Sequence, residues 1–211
     1  MSRYQVHNEE SEYQPGSDDQ VLRNLVGISA LDDMNELELE LLEQLYLAVL
    51  IDDLPDRRLC VEDLNSWHRR WLGNVYTWAG KRRALNISKG NFMFAAAAQI
   101  PRLLDEFERN CLARWTPCHG MTEFDLTEAI AVTHIEFILV HPFREGNGRL
   151  SRLLADVMAV QAGRAPLDYS SWETRKAEYI NAIHAGHAGN YTPMVQRVAE
   201  AMGLADFKVP A

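Results

Sequence analysis

Cysteine is scarce: Cys60, Cys111 and Cys118 are the only three in 211 residues. Three thiols without paired spacing make no disulfide framework, and Cys118-His119 has no second Cys-x-x-Cys to complete a zinc site. Cys60 and Cys111 sit in apolar helical surroundings and read as free core thiols, which fit a reducing cytoplasm, the location expected for this chain. Positive charge is also short, with 21 Lys and Arg against 30 Asp and Glu and a net charge of −9. A protein that binds nucleic acid through its phosphates needs a basic stripe, so nucleic acid is not an expected partner. There is no basic-then-apolar leader and no apolar run of about eighteen residues, so neither a secretion signal nor a membrane partner is expected.

What the sequence does contain describes a globular protein. Apolar residues make up 47% and charged residues of both signs 24%, and a chain of this size holds one core without needing two. Residues 1–20 are polar, with Pro15-Gly16 as a turn, and are expected to be a flexible segment leading into a single domain over residues 21–211. No repeat or low-complexity tract interrupts that domain.

Helical periodicity dominates. Leu37, Leu41, Leu42, Leu45, Ala48 and Val49 form a first stripe, preceded by Asp33 and Glu36 at capping-box spacing. The acidic face of that helix, Glu36, Glu38, Glu40 and Glu43, reads most simply as solvated. Val61, Leu64, Trp67, His68, Trp71 and Leu72 form a second stripe. Trp67, Trp71 and Trp78 are compatible with a base-stacking surface, but helical spacing favours core packing, with His68 a hydrogen-bonded, half-buried neighbour. Residues 82–94 are rich in turn signals, and Lys89-Gly90-Asn91 between two apolar triplets predicts a small hairpin. Further helices are expected over 95–112, with Pro101 in its first turn, over 124–140, from Asn147, over 172–184, and from Thr192-Pro193 onward. His184 and His187 read as partners of a helix C-terminus rather than metal ligands. The expected fold class is all-α, with about eight helices and one short hairpin.

Chemistry concentrates in residues 141–152, His-Pro-Phe-Arg-Glu-Gly-Asn-Gly-Arg-Leu-Ser-Arg. Pro142 stops the preceding helix just after His141. Gly146 and Gly148 let backbone amides turn inward, and the N-terminus of the next helix adds unpaired donors and the positive end of its dipole. Such a loop is an anion nest. Arg149 and Arg152 lie on one helical face and can contact further phosphate oxygens. Glu145 suits a hard cation such as Mg²⁺ alongside phosphate oxygens. His141 is the group whose ordinary pKa suits proton transfer near neutrality. Taken singly, a Gly-Asn-Gly is most often a turn and a His before Pro a helix-end residue; the joint spacing points to a phosphate or nucleotide site.

These residues resemble the signature of the Fic family: His141, Phe143, Glu145, Gly146-Asn147-Gly148-Arg149 and Arg152. The resemblance extends to residues 75–83 and 86–94, which are similar to the stretch leading into the family's flap, and to residues 189–193, spanning about 32–202 in all. It implies the Fic fold and transfer of AMP from ATP to a Tyr, Ser or Thr hydroxyl of a protein substrate. Under it His141 is the general base, Glu145 holds Mg²⁺, Gly146, Asn147, Gly148, Arg149 and Arg152 hold the phosphates, and Phe143 is a buried pin. Residues 86–94 become the flap that docks the target segment by main-chain pairing, with Lys89, Phe92, Met93 and Phe94 as candidate contacts; read alone they are a surface hairpin. The family's inhibitory pattern, Ser or Thr, three residues, Glu, then Gly or Asn, is not found in this chain. A toxin-like type restrained by a small antitoxin-like protein that supplies a glutamate is therefore expected, with Glu9, Glu10 or Glu12 as internal alternatives. Removal of AMP, transfer of another phosphate-containing group, and a non-catalytic nucleotide-sensing module are the competing readings.

Overall fold

The computed structural model describes residues 9–90, 92–204 and 207. Residues 1–8 of the expected flexible segment and Asn91 of the expected hairpin lie outside the described residues. The elements are α1 (Leu31–Leu47), α2 (Val61–Leu72), β1 (Ser88–Lys89), β2 (Phe92–Met93), α3 (Ile100–Phe107), α4 (Glu123–Val140), α5 (Asn147–Gln161), α6 (Ser170–Thr174), α7 (Lys176–His187) and α8 (Thr192–Ala201). The fold is all-α with one two-stranded antiparallel hairpin, Ser88 opposite Met93 and Lys89 opposite Phe92.

The centre is α4, which packs against α3, α5, α7 and α8. Its sequence is apolar nearly all round, as a central helix must be, and Ala129, Ile130, Ala131, Ile135 and Phe137 are all buried. Thr122 begins it: the side-chain oxygen accepts the Asp125 N–H at 3.1 Å, which satisfies one of the unpaired first-turn donors. Trp67, Trp71 and Trp78 are core residues, each 5% exposed or less. They are not available as a base-stacking surface.

Several boundaries differ from the periodic reading. Helix α1 starts at Leu31 with Ala30 as N-cap and no side-chain cap, so Asp33 and Glu36 form no capping box; Asp32 and Asp33 act instead as first-turn charges against the dipole. The expected helix over 95–112 opens with a 3-10 turn, Ala97–Gln99, and α3 passes into a π segment, Glu108–Leu112. The helix expected over 172–184 divides into α6 and α7, because Arg175 at φ −113°, ψ 45° leaves helical geometry. Tyr191, not Thr192, is the N-cap of α8.

Residues 9–20 are draped on the domain and tied down. Tyr13 bridges to Leu22, Ser17 and Val21 are buried, and Leu25 N–H donates to Val75 O at 2.8 Å. Glu10 reaches furthest: its carboxylate accepts the Ala84 N–H at 2.8 Å, and its carbonyl accepts Arg144 Nε at 2.7 Å.

Candidate active site

Helix α4 ends in His141, which sits at φ 49°, ψ 59°, with its N–H donating to Phe137 O at 2.9 Å. A left-handed conformation costs a side-chain-bearing residue about 1–3 kcal/mol and persists only where its surroundings hold it. Here Pro142 follows and forbids further helix. The turn swings the imidazole back along α4, so Nδ1 donates to Ile138 O at 3.1 Å. That bond fixes the tautomer with the proton on Nδ1 and leaves the Nε2 lone pair as acceptor. Burial pushes the His141 pKa down to about 4; the bond to Ile138 opposes this, and the nearby Arg83 and Lys89 cations add to it. The imidazole is neutral across the physiological range.

The loop after His141 is held from beneath. Phe143 is 1% exposed and stacks flat on His68, ring centroids 4.0 Å apart and planes 9° apart. His68 Nδ1 accepts the Gly80 N–H at 2.7 Å, so the proton is on Nε2, which donates to Glu145 O at 3.1 Å. Burial pushes the His68 pKa to about 4, which keeps it in this bridging form. Asn147, also buried, accepts the Phe143 N–H at 2.9 Å and donates to Phe143 O at 2.8 Å. Its side chain pins the loop, leaving its backbone for an anion. Gly146 has φ +82°, and a Cβ there would lie 2.6 Å from Trp71, whereas a Cβ on Gly148 would meet nothing within 4 Å. One glycine is demanded by packing; the other faces open space at the N-terminus of α5.

The charged side chains around that open space are separately anchored. Glu145, half exposed, caps the Gly146 N–H at 3.1 Å and lies 3.9 Å from Arg149. Arg149 lies over the Trp71 ring at 4.6 Å and pairs with Glu38 Oε2 at 2.6 Å. Arg152 lies over the Tyr169 ring at 5.1 Å and pairs with Glu173 at 3.1 Å. Tyr169 O–H and Tyr46 O–H both donate to Asp156, one turn beyond Arg152; burial raises the Asp156 pKa to about 6. Arg149 and Arg152 also line a cavity of about 830 Å³ between α1 and α5, together with Leu47, Leu50 and Ile51.

The hairpin closes over the other side. Phe94 stacks on the His141 imidazole with centroids 3.6 Å apart. Phe92 stacks on His184 at 5.2 Å and meets His187 edge-on at 5.7 Å, so the two histidines at the end of α7 hold the hairpin as well as facing the helix dipole. Met93 is 65% exposed, and Lys89 is exposed beside it.

A model of the Fic/DOC family matches residues 58–159. The protein adenylyltransferase fic-1 of Caenorhabditis briggsae is 32% identical over 143 residues, 67% of this chain and 27% of that protein. The chain carries a Fic/DOC family domain. The probable protein adenylyltransferase y4lH of Sinorhizobium fredii is 27% identical over 84% of this chain and 89% of its own length. The N-terminal Fic domain of a Bartonella effector protein from Bartonella sp. AR 15-3 superposes with TM-score 0.76 at 20% identity, covering 95% of each chain. The chain thus spans about a quarter of the length of the curated fic-1 relative.

Within the Fic domain, the loop brings His141, Phe143, Glu145, Gly146, Asn147, Gly148, Arg149 and Arg152 together; the hairpin brings Phe94 to it, whereas Phe92 packs on His184 and His187 instead. Glu38 corrects the sequence reading: it is 4% exposed rather than solvated, and accepts Tyr76 O–H at 2.8 Å as well as pairing with Arg149. Its signal was its register, since Met34, Glu38, Leu42 and Leu45 form the buried stripe of α1. Cys60 is likewise not a core thiol; it is the half-buried N-cap of α2.

Proposed function

We propose that this Fic domain is a protein adenylyltransferase that moves AMP from ATP to a Tyr, Ser or Thr hydroxyl of a target protein. The observation that carries the reading is the His141 tautomer: Nδ1 tied to Ile138 O leaves Nε2 to take the hydroxyl proton beside an open anion nest. The hydroxyl oxygen forms a bond to the α-phosphorus, the bond to the bridging oxygen breaks, and pyrophosphate leaves. An oriented base of this kind contributes about 10²–10⁴ in rate. The similarity to the protein adenylyltransferase fic-1 and to the probable protein adenylyltransferase y4lH supports the same assignment.

The residues fit the nucleotide. Amides at Asn147 and Gly148 with the α5 N-terminus suit the phosphates, joined by the Gly146 N–H once Glu145, which caps it at 3.1 Å, turns to the cation, and the open space above Gly148 leaves room for a phosphate oxygen. Arg149 and Arg152 face further phosphate oxygens. Among the described residues no group of three or more His, Cys, Asp or Glu can hold a metal alone, which suits Mg²⁺ held by Glu145 and the phosphates themselves. Bound there, Mg²⁺ neutralises phosphate charge. The hairpin, with Lys89 and Met93 outward, presents strand edges to a target segment; Phe94 seats it over His141 and Phe92 anchors it on His184 and His187.

We further propose control by a separate small antitoxin-like protein. The cavity beside Arg149 and Arg152, with Leu47 at the end of α1 59% exposed and Ile51 in the π segment that follows, Ala48–Asp52, 74% exposed, offers an apolar seat from which a partner's glutamate reaches the arginines. The free thiols suit a cytoplasmic setting, and no helix among the described residues is long and apolar enough to cross a membrane.

The test is labelling of lysate proteins with Mg²⁺ and ATP carrying label on the α-phosphate. His141→Ala should abolish labelled bands while leaving nucleotide binding within about two-fold, as expected for loss of a base alone. Equal labelling by parent and variant would overturn the base assignment.

A further inference from the structure

We propose that Arg83 is a positioning residue that fixes both stems of the hairpin and the backbone of His141 to one rigid guanidinium, so that flap and base move as a unit. The inference rests on the flap-and-base reading above. Arg83 comes from the Lys81-Arg82-Arg83 run, which would ordinarily be a solvated basic patch, yet Arg83 is only 2% exposed. Its donors go to backbone carbonyls. Nε donates to His141 O at 2.7 Å, Nη1 to Leu85 O at 2.5 Å, and Nη2 to Ala95 O at 2.6 Å and Val140 O at 3.4 Å. Its own N–H donates to Pro142 O at 2.8 Å.

Each acceptor has a reason to need it. Val140 and His141 carry the last carbonyls of α4, which have no partner within the helix and sit at the negative end of its dipole. Leu85 and Ala95 flank the hairpin, which holds itself by a two-residue ladder, the Phe94 N–H to Ile87 O bond of 3.3 Å and the Ala97 N–H to Asn86 Oδ1 bond of 2.8 Å, and whose main-chain tie to α4 is the Ala95 N–H to Leu139 O bond of 3.3 Å. A ladder that short does not fix its own orientation. One planar fork joins the two stems to the residue that bears the base, and the guanidinium also lies close to the left-handed turn at His141. Glu10 completes the arrangement, its carboxylate holding the Ala84 N–H next to Arg83.

Lysine cannot reproduce this. An ammonium is a point charge on a flexible stem, without the fixed five-donor fork that reaches carbonyls on three sides. Small misplacements of reacting groups are amplified, a shift of about 1 Å costing on the order of 10² in rate. A residue that only stabilised the fold would move stability and not the relation between flap and base.

Arg83→Lys tests this. Amide hydrogen exchange over residues 84–95 should quicken at least about tenfold, labelling of target should fall about 10- to 100-fold in kcat, and nucleotide affinity should stay within about two-fold. Unchanged exchange over 84–95 would overturn the proposal, as would a variant that loses nucleotide affinity and kcat together. If the parent protein labels nothing, adenylylation fails while the exchange result still decides the role of Arg83. Should the lysine variant not fold, the parent protein suffices: the Arg83 Nε–H, bonded to His141 O, should give a slowly exchanging NMR signal, and a signal exchanging as fast as those of exposed arginines would overturn the proposal.

Discussion

Replacing Gly146 and Gly148 by alanine, one at a time, separates what packing demands of the loop from what a ligand demands. At Gly146 an alanine must adopt φ near +82° and place its Cβ 2.6 Å from Trp71, a ring that is 1% exposed and has no room to withdraw. The backbone contributes about 1–2 kcal/mol of strain and overpacking about 1–3 kcal/mol. The sum, about 2–5 kcal/mol, lowers the thermal midpoint by roughly 4–20 °C for a domain of this size. At Gly148, the second residue of α5, the methyl meets nothing within 4 Å, and alanine is the better helix former by up to about 1 kcal/mol. Stability should hold or rise, but the methyl now stands where phosphate oxygens approach. Losing one charge-assisted hydrogen bond of about 1.5–3 kcal/mol weakens nucleotide binding roughly 10- to 100-fold. Urea unfolding and calorimetric titration with Mg-ATP read the two effects independently. A Gly146→Ala protein as stable as the parent would refute the packing reasoning, and a Gly148→Ala protein with unchanged affinity would refute the nest.

Three further outcomes follow from the same geometry. Glu145→Ala should abolish the Mg²⁺ dependence of nucleotide binding, and a dissociation constant for Mg-ATP equal to the parent's would count against Glu145 as the cation's ligand. Glu38→Ala strands Arg149 and Tyr76 beside a buried hole and should cost about 3 kcal/mol in urea unfolding; a loss under about 1 kcal/mol would mean that solvent already screens the pair. Acid should destabilise the fold before most carboxylates titrate. His68, His141 and His134, the last buried on α4 with its Nε2 2.8 Å from the Tyr179 hydroxyl, fall from 6.5 to about 4, so between those values the unfolded chain binds protons that the folded chain refuses, and stability drops as pH falls. Asp156, raised from 3.8 to about 6, works oppositely with one proton. About two net protons give a slope of roughly 2–3 kcal/mol per pH unit near pH 5; unfolding free energies equal at pH 5 and pH 6 would contradict it.

The signature loop was legible because its chemistry is contiguous: His141, Glu145, Gly146, Gly148 and the arginines fall within twelve positions between two strong apolar periodicities. The tryptophans were legible as core for the same reason, since Trp67 and Trp71 share a helical face. What escaped depended on partners distant in sequence. Glu38 sits among Glu36, Glu40 and Glu43, and charge alone cannot tell the acid that faces Tyr76 and Arg149 from its solvated neighbours; only its register with Met34 and Leu42 does. Arg83 is hidden in a basic run, and its carbonyl partners come from residues 85, 95, 140 and 141. His184 and His187 face Phe92 only because α7 ends beside the hairpin. The break at Arg175 and the π segment Glu108–Leu112 have no proline or glycine to announce them.

In the proposed reaction AMP, and not another part of the nucleotide, is transferred with His141 as base. Parallel reactions with ATP labelled on the α-phosphate and on the γ-phosphate, each with parent and His141→Ala protein, test it directly. Label should reach target protein only from the α position and only with the parent. Transfer of γ-label, or α-label transfer that survives the loss of His141, would contradict the account.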